Sequence, residues 1–371
     1  MIKRYLKTQV LKDIQKKMVF IGGPRQVGKT TFACELLGNS KNGYLNWDIS
    51  ENRESILKRE LPNSKFWVFD EIHKYRKWRN YIKGLYDKKI PDQKILVTGS
   101  ARLDYYRFGG DSLQGRYHYL RLFPLSVAEL KIVTENDLNE LLELGCFPEP
   151  FFSSSKIESK RWAREYRTRV IQEDIRTLEK ISDITNIELL MIKLPEMVGS
   201  PLSINSIRED LQVSHKAVSD WINILERLYV IFRLPPFGTS RIRAVKKEQK
   251  HYHFDYTLVS DQALRFENLV ALNLLKWVSY IEDTQGEDIE LRYFRDIDGR
   301  EVDFVIVKNK KPVTFIEVKW NDTEIGKGLK YLKQRFPECE AYQISAVGKK
   351  EYINQDGIIV LPAVKYLSKL I

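Results

Sequence analysis

Gly23-Pro24-Arg25-Gln26-Val27-Gly28-Lys29-Thr30 decides how the amino-terminal part of this chain is read. It fits G-x-x-x-x-G-K-[ST], the phosphate-binding loop. The apolar run Met18-Val19-Phe20-Ile21 precedes it and reads as a buried strand. Thr31-Phe32-Ala33-Cys34-Glu35-Leu36-Leu37 follows and reads as a helix. Strand, loop and helix in that order are the context that makes the motif specific. The glycines let backbone N–H groups curl around phosphate oxygens. The helix turns its N-terminus toward the same anion. Lys29 would reach the β- and γ-phosphates, and Thr30 would hold Mg²⁺. The expected nucleotide-binding residues here are Gly23, Pro24, Arg25, Gln26, Val27, Gly28, Lys29, Thr30 and Thr31.

Working outward, Phe66-Trp67-Val68-Phe69-Asp70-Glu71 is four apolar residues ending in two carboxylates. That is the pattern of a buried parallel strand whose carboxyl end opens onto a ligand crevice. Asp70 would hold Mg²⁺ through its water shell, and Glu71 would orient and deprotonate the attacking water. A third strand, Lys94-Ile95-Leu96-Val97-Thr98, runs into Gly99-Ser100-Ala101-Arg102. Thr98 or Ser100 could touch the γ-phosphate or its water; Ser-Ala-Arg reads equally well as a strand-to-helix cap.

These motifs come in one order: the phosphate loop, Val68-Phe69-Asp70-Glu71-Ile72-His73-Lys74, Val97-Thr98-Gly99-Ser100-Ala101-Arg102, Leu113-Gln114-Gly115-Arg116, then Phe123-Pro124-Leu125-Ser126 with Glu129. They resemble a prokaryotic branch of AAA+ ATPases, in which a helical or winged domain and then a nuclease-type domain follow. The resemblance covers essentially the whole chain. It implies that Arg116 is an arginine sensor or finger for the γ-phosphate. From the residues alone, Arg116 is an arginine after glycine in a basic loop.

The 371 residues imply two or three domains. Hydrophobic content of 43% and aromatic content of 12% are those of a folded globular chain. A formal net charge of +11 favours an acidic partner such as nucleic acid, with DNA the first choice. Cys34, Cys146 and Cys339 are far apart and form no C-x-x-C pair, so neither a zinc site nor a disulfide framework is indicated. A reducing cytosol fits that usage. The first residues lead into polar sequence without an apolar core, so no signal peptide is expected. No stretch reaches ~18 uncharged apolar residues, so no membrane span is expected either.

The fold class expected is α/β: a P-loop parallel-sheet domain over residues 1–150, a helical and winged-helix domain over 151–258, and a small α/β nuclease-like domain over 259–371. The first boundary is set by Cys146-Phe147-Pro148-Glu149-Pro150-Phe151-Phe152-Ser153-Ser154-Ser155, rich in proline and serine. In the middle domain, a short helix over 202–211, a turn at Gln212-Val213-Ser214 and a longer helix from His215 to Leu228 have helix-turn-helix spacing. Lys216, Ser219 and Asn223 could read DNA, but Asp220 and Glu226 on the same face would repel phosphates, so a packing role is favoured. The wing carries Arg233, Arg241, Arg243, Lys246, Lys247 and Lys250 against Glu248 and could grip a phosphate backbone. His251 and His253 share a strand face with no third ligand nearby and read as structural.

In the last domain, a helix over 261–278 places Glu267 in the middle of its apolar stripe, costly unless paired, protonated or near a metal. Strands over 301–307 and 313–320 follow, and period two puts Glu317 and Lys319 on one face. Asp303 with Glu317-Val318-Lys319 looks like the PD-(D/E)xK nuclease core, with Val302 where that name has proline. The resemblance implies Mg²⁺ held by Asp303 and Glu317 with Glu267 as a third ligand, and Lys319 as the catalytic lysine. The expectation is an ATP- and Mg²⁺-dependent P-loop ATPase coupling nucleotide state to nucleic-acid binding or cleavage. The alternative is a nucleotide-switched DNA- or partner-binding regulator whose nuclease-like domain does not cut. A homo-oligomer is required if the arginine finger works in trans.

Overall fold

The computed structural model describes residues 2–38, 42–99, 103, 113–175, 183–238 and 249–371. The chain divides into two compact units, Met1–Pro124 and Leu125–Ile371.

The first unit is built on a wholly parallel sheet. Its strands are β1 (Met18–Gly22), β2 (Tyr44–Asn46), β3 (Phe66–Asp70), β4 (Lys94–Thr98) and β5 (Tyr117–Arg121), in the order β2-β3-β4-β1-β5. Parallel strands carry helices on both faces, which is why β1, β3 and β4 read as unbroken apolar runs rather than alternating ones. Every residue of β1 is buried. Helices α1 (Lys7–Asp13), α2 (Lys29–Leu37), α3 (Ser50–Lys58) and α4 (Trp78–Asp87) complete the unit's named elements. Phe20, Ile56, Phe69, Ile82 and Val97 share one apolar cluster that joins the sheet to α3 and α4. β4 lies between β1 and β3, with Thr98 in register with Asp70 on one side and Ile21 on the other. The carboxyl ends of these three strands therefore meet along one edge, where open α/β sheets bind ligands.

The second unit begins with a capping box: Ser126 accepts from the Glu129 N–H, and Glu129 accepts from the Ser126 N–H. Helices α5 (Val127–Leu130), α6 (Glu135–Leu144), α7 (Pro148–Ser153) and α8 (Lys156–Arg169) follow. The Pro- and Ser-rich stretch at residues 146–155 lies inside this unit, not between units. Pro148 opens α7, where a missing N–H costs nothing, and Ser155 caps α8. Cys146 and Phe147 are buried, and Phe147 packs on Trp162 and Tyr166. A break signal thus marks a tight helix–helix corner.

Next come α9 (Ile184–Lys193), α10 (Ile204–Leu211) and α11 (His215–Arg227), with Ser203 and Ser214 as caps of the last two. Val218, Trp221, Ile222 and Leu225 face inward as their spacing predicts. The antiparallel pair β6 (Ile231–Leu234) and β7 (Lys250–His253) closes this segment. The wing residues Arg241, Arg243, Lys246, Lys247 and Glu248 lie outside the described residues.

The remainder is one long helix, α12 (Gln262–Gln285), then a meander of β8 (Ile289–Arg295), β9 (Glu301–Lys308) and β10 (Lys311–Lys319), helix α13 (Lys327–Arg335) and strand β11 (Glu340–Ser345). β8, β9 and β10 are antiparallel and β11 runs parallel to β10; β12 (Tyr352–Ile353), β13 (Ile359–Pro362) and α14 (Ala363–Leu367) end the chain. Asn268, Asn273, Lys276 and Ser279 are buried along with the apolar residues of α12, so this helix is enclosed on more than one face. Asn268, Asn273 and Lys276 have partners within the unit. Asn268 accepts from the His253 N–H and donates to the His253 carbonyl, and Lys276 pairs with Glu129. The Phe-Pro-Leu-Ser…Glu motif thus serves, through Glu129, as a buried partner for α12.

Candidate functional site

The phosphate loop leaves β1 with Gly23 at φ 133° and enters α2 with Gly28 at φ 92°. Both values lie where side chains are strained, which is why glycine stands there. Gly23 has a second reason, since a Cβ on it would lie 2.3 Å from the Leu122 carbonyl oxygen. Gln26, at φ 56°, adopts the same left-handed region without that excuse. Lys29 is buried, and its ammonium donates to the Gly23 carbonyl at 3.0 Å and to that of Pro24.

Asp70 is the hub. Its Oδ2 accepts from Thr30 Oγ1 at 2.7 Å and from Tyr44 OH at 2.7 Å, and its Oδ1 accepts from Thr98 Oγ1 at 2.6 Å. Three hydroxyls on three elements fix this carboxylate beside the first helical turn after the loop. Burial, reinforced by the neighbouring Asp70 charge, pushes the Tyr44 phenol up, so it stays a donor. Thr30 and Asp70 are hard oxygen donors brought into contact, and they fit the Mg²⁺ role expected of them. Thr98 spends its hydroxyl on Asp70; Ser100 lies outside the described residues.

Glu71 follows at φ 56°, so the chain turns sharply as it leaves β3. This conformation aims its carboxylate away from Asp70's hydroxyl cage and toward Lys74, at 3.4 Å, and His73, at 3.7 Å. Burial raises the Glu71 pKa, and the Lys74 and Lys29 ammoniums oppose the rise. A carboxylate with a raised pKa at the end of this strand has the properties of a general base. Gly99 lets the chain pass His73 closely: a Cβ there would lie 2.7 Å from the His73 ring.

Arg116 is not at this edge. It precedes β5, its carbonyl accepts from the N–H of Met18 at the start of β1, and its side chain pairs with Asp87 at 2.9 Å. A parallel sheet puts that position at the end of β1 opposite the phosphate loop. In its own unit Arg116 therefore does not join the loop. Two residues that the sequence reading missed do. Arg4, buried, donates to the carbonyls of Val27 and Phe123, and Tyr5 bonds the Arg121 carbonyl and the Phe123 N–H. With Lys7 paired to Glu35 at 2.6 Å, the amino-terminal segment clamps the loop from behind. Their partners are backbone groups remote in sequence, so no motif could show them.

The second unit holds the other expected constellation. Glu267 of α12, Asp303 of β9 and Glu317 of β10 come to one place, but so do two groups read otherwise. Lys250, assigned to a phosphate-gripping wing, is 1% exposed and points inward from β7. Its ammonium lies 2.5 Å from Glu301, 3.7 Å from Glu267 and 3.9 Å from Asp303. Arg233, the wing's first cation, is likewise spent inside the unit, on Glu226 and on Asn223 at 2.8 Å. Asn223 and Glu226 thus serve that pairing, while Lys216 and Asp220 remain exposed. Glu301 was overlooked, although Glu301 and Asp303 share a strand face by simple alternation.

Around Lys250 one oxygen of each of three carboxyls has a further donor, while the buried Glu317 Oε2 has none among the described residues. Tyr252 OH donates to Glu267 at 2.7 Å, the Val318 N–H to Asp303 at 2.8 Å, and Lys319 to Glu317 at 2.7 Å. Burial raises Glu267 to about 8 and Glu317 to about 7, and raises Asp303 as well. Two ammoniums, Lys250 and Lys319, thus face four carboxyl groups. Among the described residues no three His, Cys, Asp or Glu side chains converge as a metal-holding group. Glu267, Asp303 and Glu317 as arranged therefore do not fit the Mg²⁺ set expected of them, because Lys250 stands among them.

His251 and His253 are buried, and His251 Nε2 lies 2.9 Å from the Leu194 carbonyl. Burial lowers their pKa to about 4 and about 3. The unfolded imidazoles take up protons near pH 6.5 that the folded ones refuse. Their contribution to stability is thus full above pH 6.5 and is lost as the pH falls toward 4. Denaturant unfolding of the second unit is expected to weaken by roughly 1 kcal/mol per histidine for each pH unit below 6.5. A His253→Phe variant should show a shallower slope; an unchanged slope contradicts the assignment.

Loop, helix and a buried acid at a strand end of a parallel sheet are the parts of a P-loop domain, and the family match makes it one of the AAA type. Residues 15–131 match the family model of a AAA domain. Residues 135–269 and 265–366 match two domains of unknown function, DUF8612 and DUF4143. An uncharacterised protein of Mycobacterium tuberculosis is 22% identical over 368 residues, covering 95% of this chain and 81% of its own. One of Methanocaldococcus jannaschii is 21% identical over 305 residues, covering 66% of this chain and 63% of its own. Among solved structures, a Thermotoga maritima RuvB variant aligns with a TM-score of 0.31 at 16% identity, covering 63% of this chain and 90% of that one. Bacteroides Pif1 bound to single-stranded DNA aligns at 0.22 and 17% identity, covering 39% of this chain and 50% of that one. Scores this low carry no argument about function. Among the described residues no helix is long and apolar enough to cross a membrane.

Proposed function

We propose that this chain is an ATP-hydrolysing switch whose second unit binds nucleic acid. The observation that carries the hydrolase reading is Asp70, held by Thr30 and Thr98 with Glu71 next to it on the same strand end. The loop N–H groups and Lys29 would bind the β- and γ-phosphates and hold the γ-phosphorus in line. Glu71 would orient the attacking water and accept its proton. Thr30 would hold Mg²⁺ directly and Asp70 through water; the ion supplies neutralisation of charge on the phosphate oxygens. An arginine finger from another copy, with Arg116 as donor, would complete the site in an oligomer.

The net charge of +11 and the capped helix pair followed by a hairpin support a winged-helix reading of residues 184–258 and nucleic acid, DNA first, as partner. Asp303, Glu317 and Lys319, with the helix–meander–helix–strand order, support a nuclease-like last domain. A cytoplasmic location is part of the same reading. Anisotropy of labelled duplex and single-stranded DNA tests the reading. Affinity should fall about tenfold or more between ~50 and ~200 mM salt. It should differ about fivefold or more between ADP and ATP analogue, a difference lost in Lys29→Ala. Absence of salt-dependent binding in every nucleotide state would move the reading to a partner-binding regulator.

A further inference from the structure

We propose that Lys250 is the resident cation of the carboxylate cluster in the second unit and keeps Mg²⁺ and Mn²⁺ out of it. This rests on the nuclease-like reading of the last domain, but not on ATP hydrolysis or on nucleic-acid binding.

Lys250 is not a surface lysine that swings into the cluster. Its backbone pairs with Leu234 of β6 and bridges to Pro201, and Asn268 of α12 fastens the same strand at His253. Its ammonium sits 5.6 Å from the Tyr293 ring centre, and the residue is 1% exposed. A burial this deep is tolerable for a charged lysine only because Glu301, Glu267 and Asp303 face it. A divalent ion on Asp303 and Glu267 would need oxygens at about 2.0–2.6 Å. It would then stand beside an ammonium 3.7 Å from Glu267 Oε1 and 3.9 Å from Asp303 Oδ1, with Glu317 Oε1 paired to Lys319 and Asp303 Oδ2 bonded to the Val318 N–H. Lysine and metal compete for one position, and the lysine is covalently supplied. The domain would thus keep the carboxylates and lysine of a phosphodiester-cutting site while holding no metal, and would act as a binding module.

The test is Mn²⁺ binding to the full chain without nucleotide, by electron paramagnetic resonance, with Asp70→Asn present throughout to remove the phosphate-loop site. With Lys250 intact, no Mn²⁺ site sensitive to Asp303→Asn is expected up to ~1 mM, the weak end of protein sites for hard divalent ions. Lys250→Met is expected to create one site at least tenfold tighter, abolished again by Asp303→Asn. Should Lys250→Met fail to fold, Lys250→Met with Glu301→Gln removes a carboxylate together with the ammonium and serves the same purpose. Binding to the Lys250 chain that Asp303→Asn abolishes would overturn the proposal and leave the nuclease-like reading standing. A folded Lys250→Met chain, or its double variant, that binds no Mn²⁺ would overturn both. Neither result bears on the ATP switch, which is read out by phosphate release and DNA binding.

Discussion

Glu71→Gln is expected to lower ATP turnover by about 10²–10⁴-fold, the usual contribution of a positioned general base, while nucleotide affinity stays within about threefold of the parent. The amide keeps the size and the hydrogen-bonding reach of the side chain but cannot accept a proton. Binding would be carried by other groups that stay in place: the loop N–H groups, Lys29, and the Thr30–Asp70 pair. The parent chain should also show an acid limb. Burial raises the Glu71 pKa, so the base is lost to protonation at a pH above the ordinary carboxylate range, and turnover rises with pH through that point. The amide of the Glu71→Gln variant does not titrate there, so that limb disappears. Steady-state phosphate release between pH 5 and pH 9, with binding of a fluorescent ATP analogue alongside, measures both. A variant that loses affinity as much as turnover would make Glu71 a structural residue.

Gly23→Ala is expected to destabilise the first unit by about 2–5 kcal/mol and to abolish nucleotide binding. Two costs add: an alanine in a conformation open to glycine, and a Cβ driven against backbone. The second is the larger here, because the atom it meets, 2.3 Å away, is the Leu122 carbonyl oxygen, which cannot rotate aside. Leu122 is itself tied by its N–H to the Gly22 carbonyl, and Arg4 and Tyr5 tie the next residue, Phe123. Relief would therefore have to move the loop. Gly38→Ala provides the contrast. Its φ is 72° and its ψ −150°, but among the described residues nothing lies within 4 Å of its would-be Cβ, so only the conformational cost of about 1–3 kcal/mol applies. Thermal unfolding should separate the two, and equal losses would show that strain alone governs Gly23.

The first unit was largely legible because its physics is local. A parallel strand buried on both faces must be an apolar run, and a phosphate loop must sit between such a strand and a helix, so β1, β3 and β4 stand where the residue pattern puts them. Asp70 could be assigned from its place at a strand end, but the hydroxyls of Tyr44 and Thr98 that hold it come from neighbouring strands and carry no motif. Arg116 lies at the other end of its own sheet; proximity in a motif series says nothing about which end of the sheet a residue occupies. Lys250 misled for a related reason. It follows a run of basic residues, and only the packing of β7 against α12 and β9 turns it toward Glu267, Glu301 and Asp303. Glu267 on an apolar stripe did announce buried partners; they are the Tyr252 hydroxyl at 2.7 Å and the Lys250 ammonium at 3.7 Å. Proline and serine near residue 150 signalled a break in secondary structure, and the buried Phe147 and Trp162 make that break a corner within one unit.

The central claim is that the first unit binds and hydrolyses ATP through the loop at Lys29. Single-turnover release of γ-phosphate from Mg²⁺-ATP by the purified chain, beside Lys29→Ala, tests it most directly. The account predicts release by the parent chain that Lys29→Ala abolishes together with nucleotide binding. Release that Lys29→Ala leaves unchanged would contradict it, as would a folded parent chain that neither binds nor hydrolyses ATP.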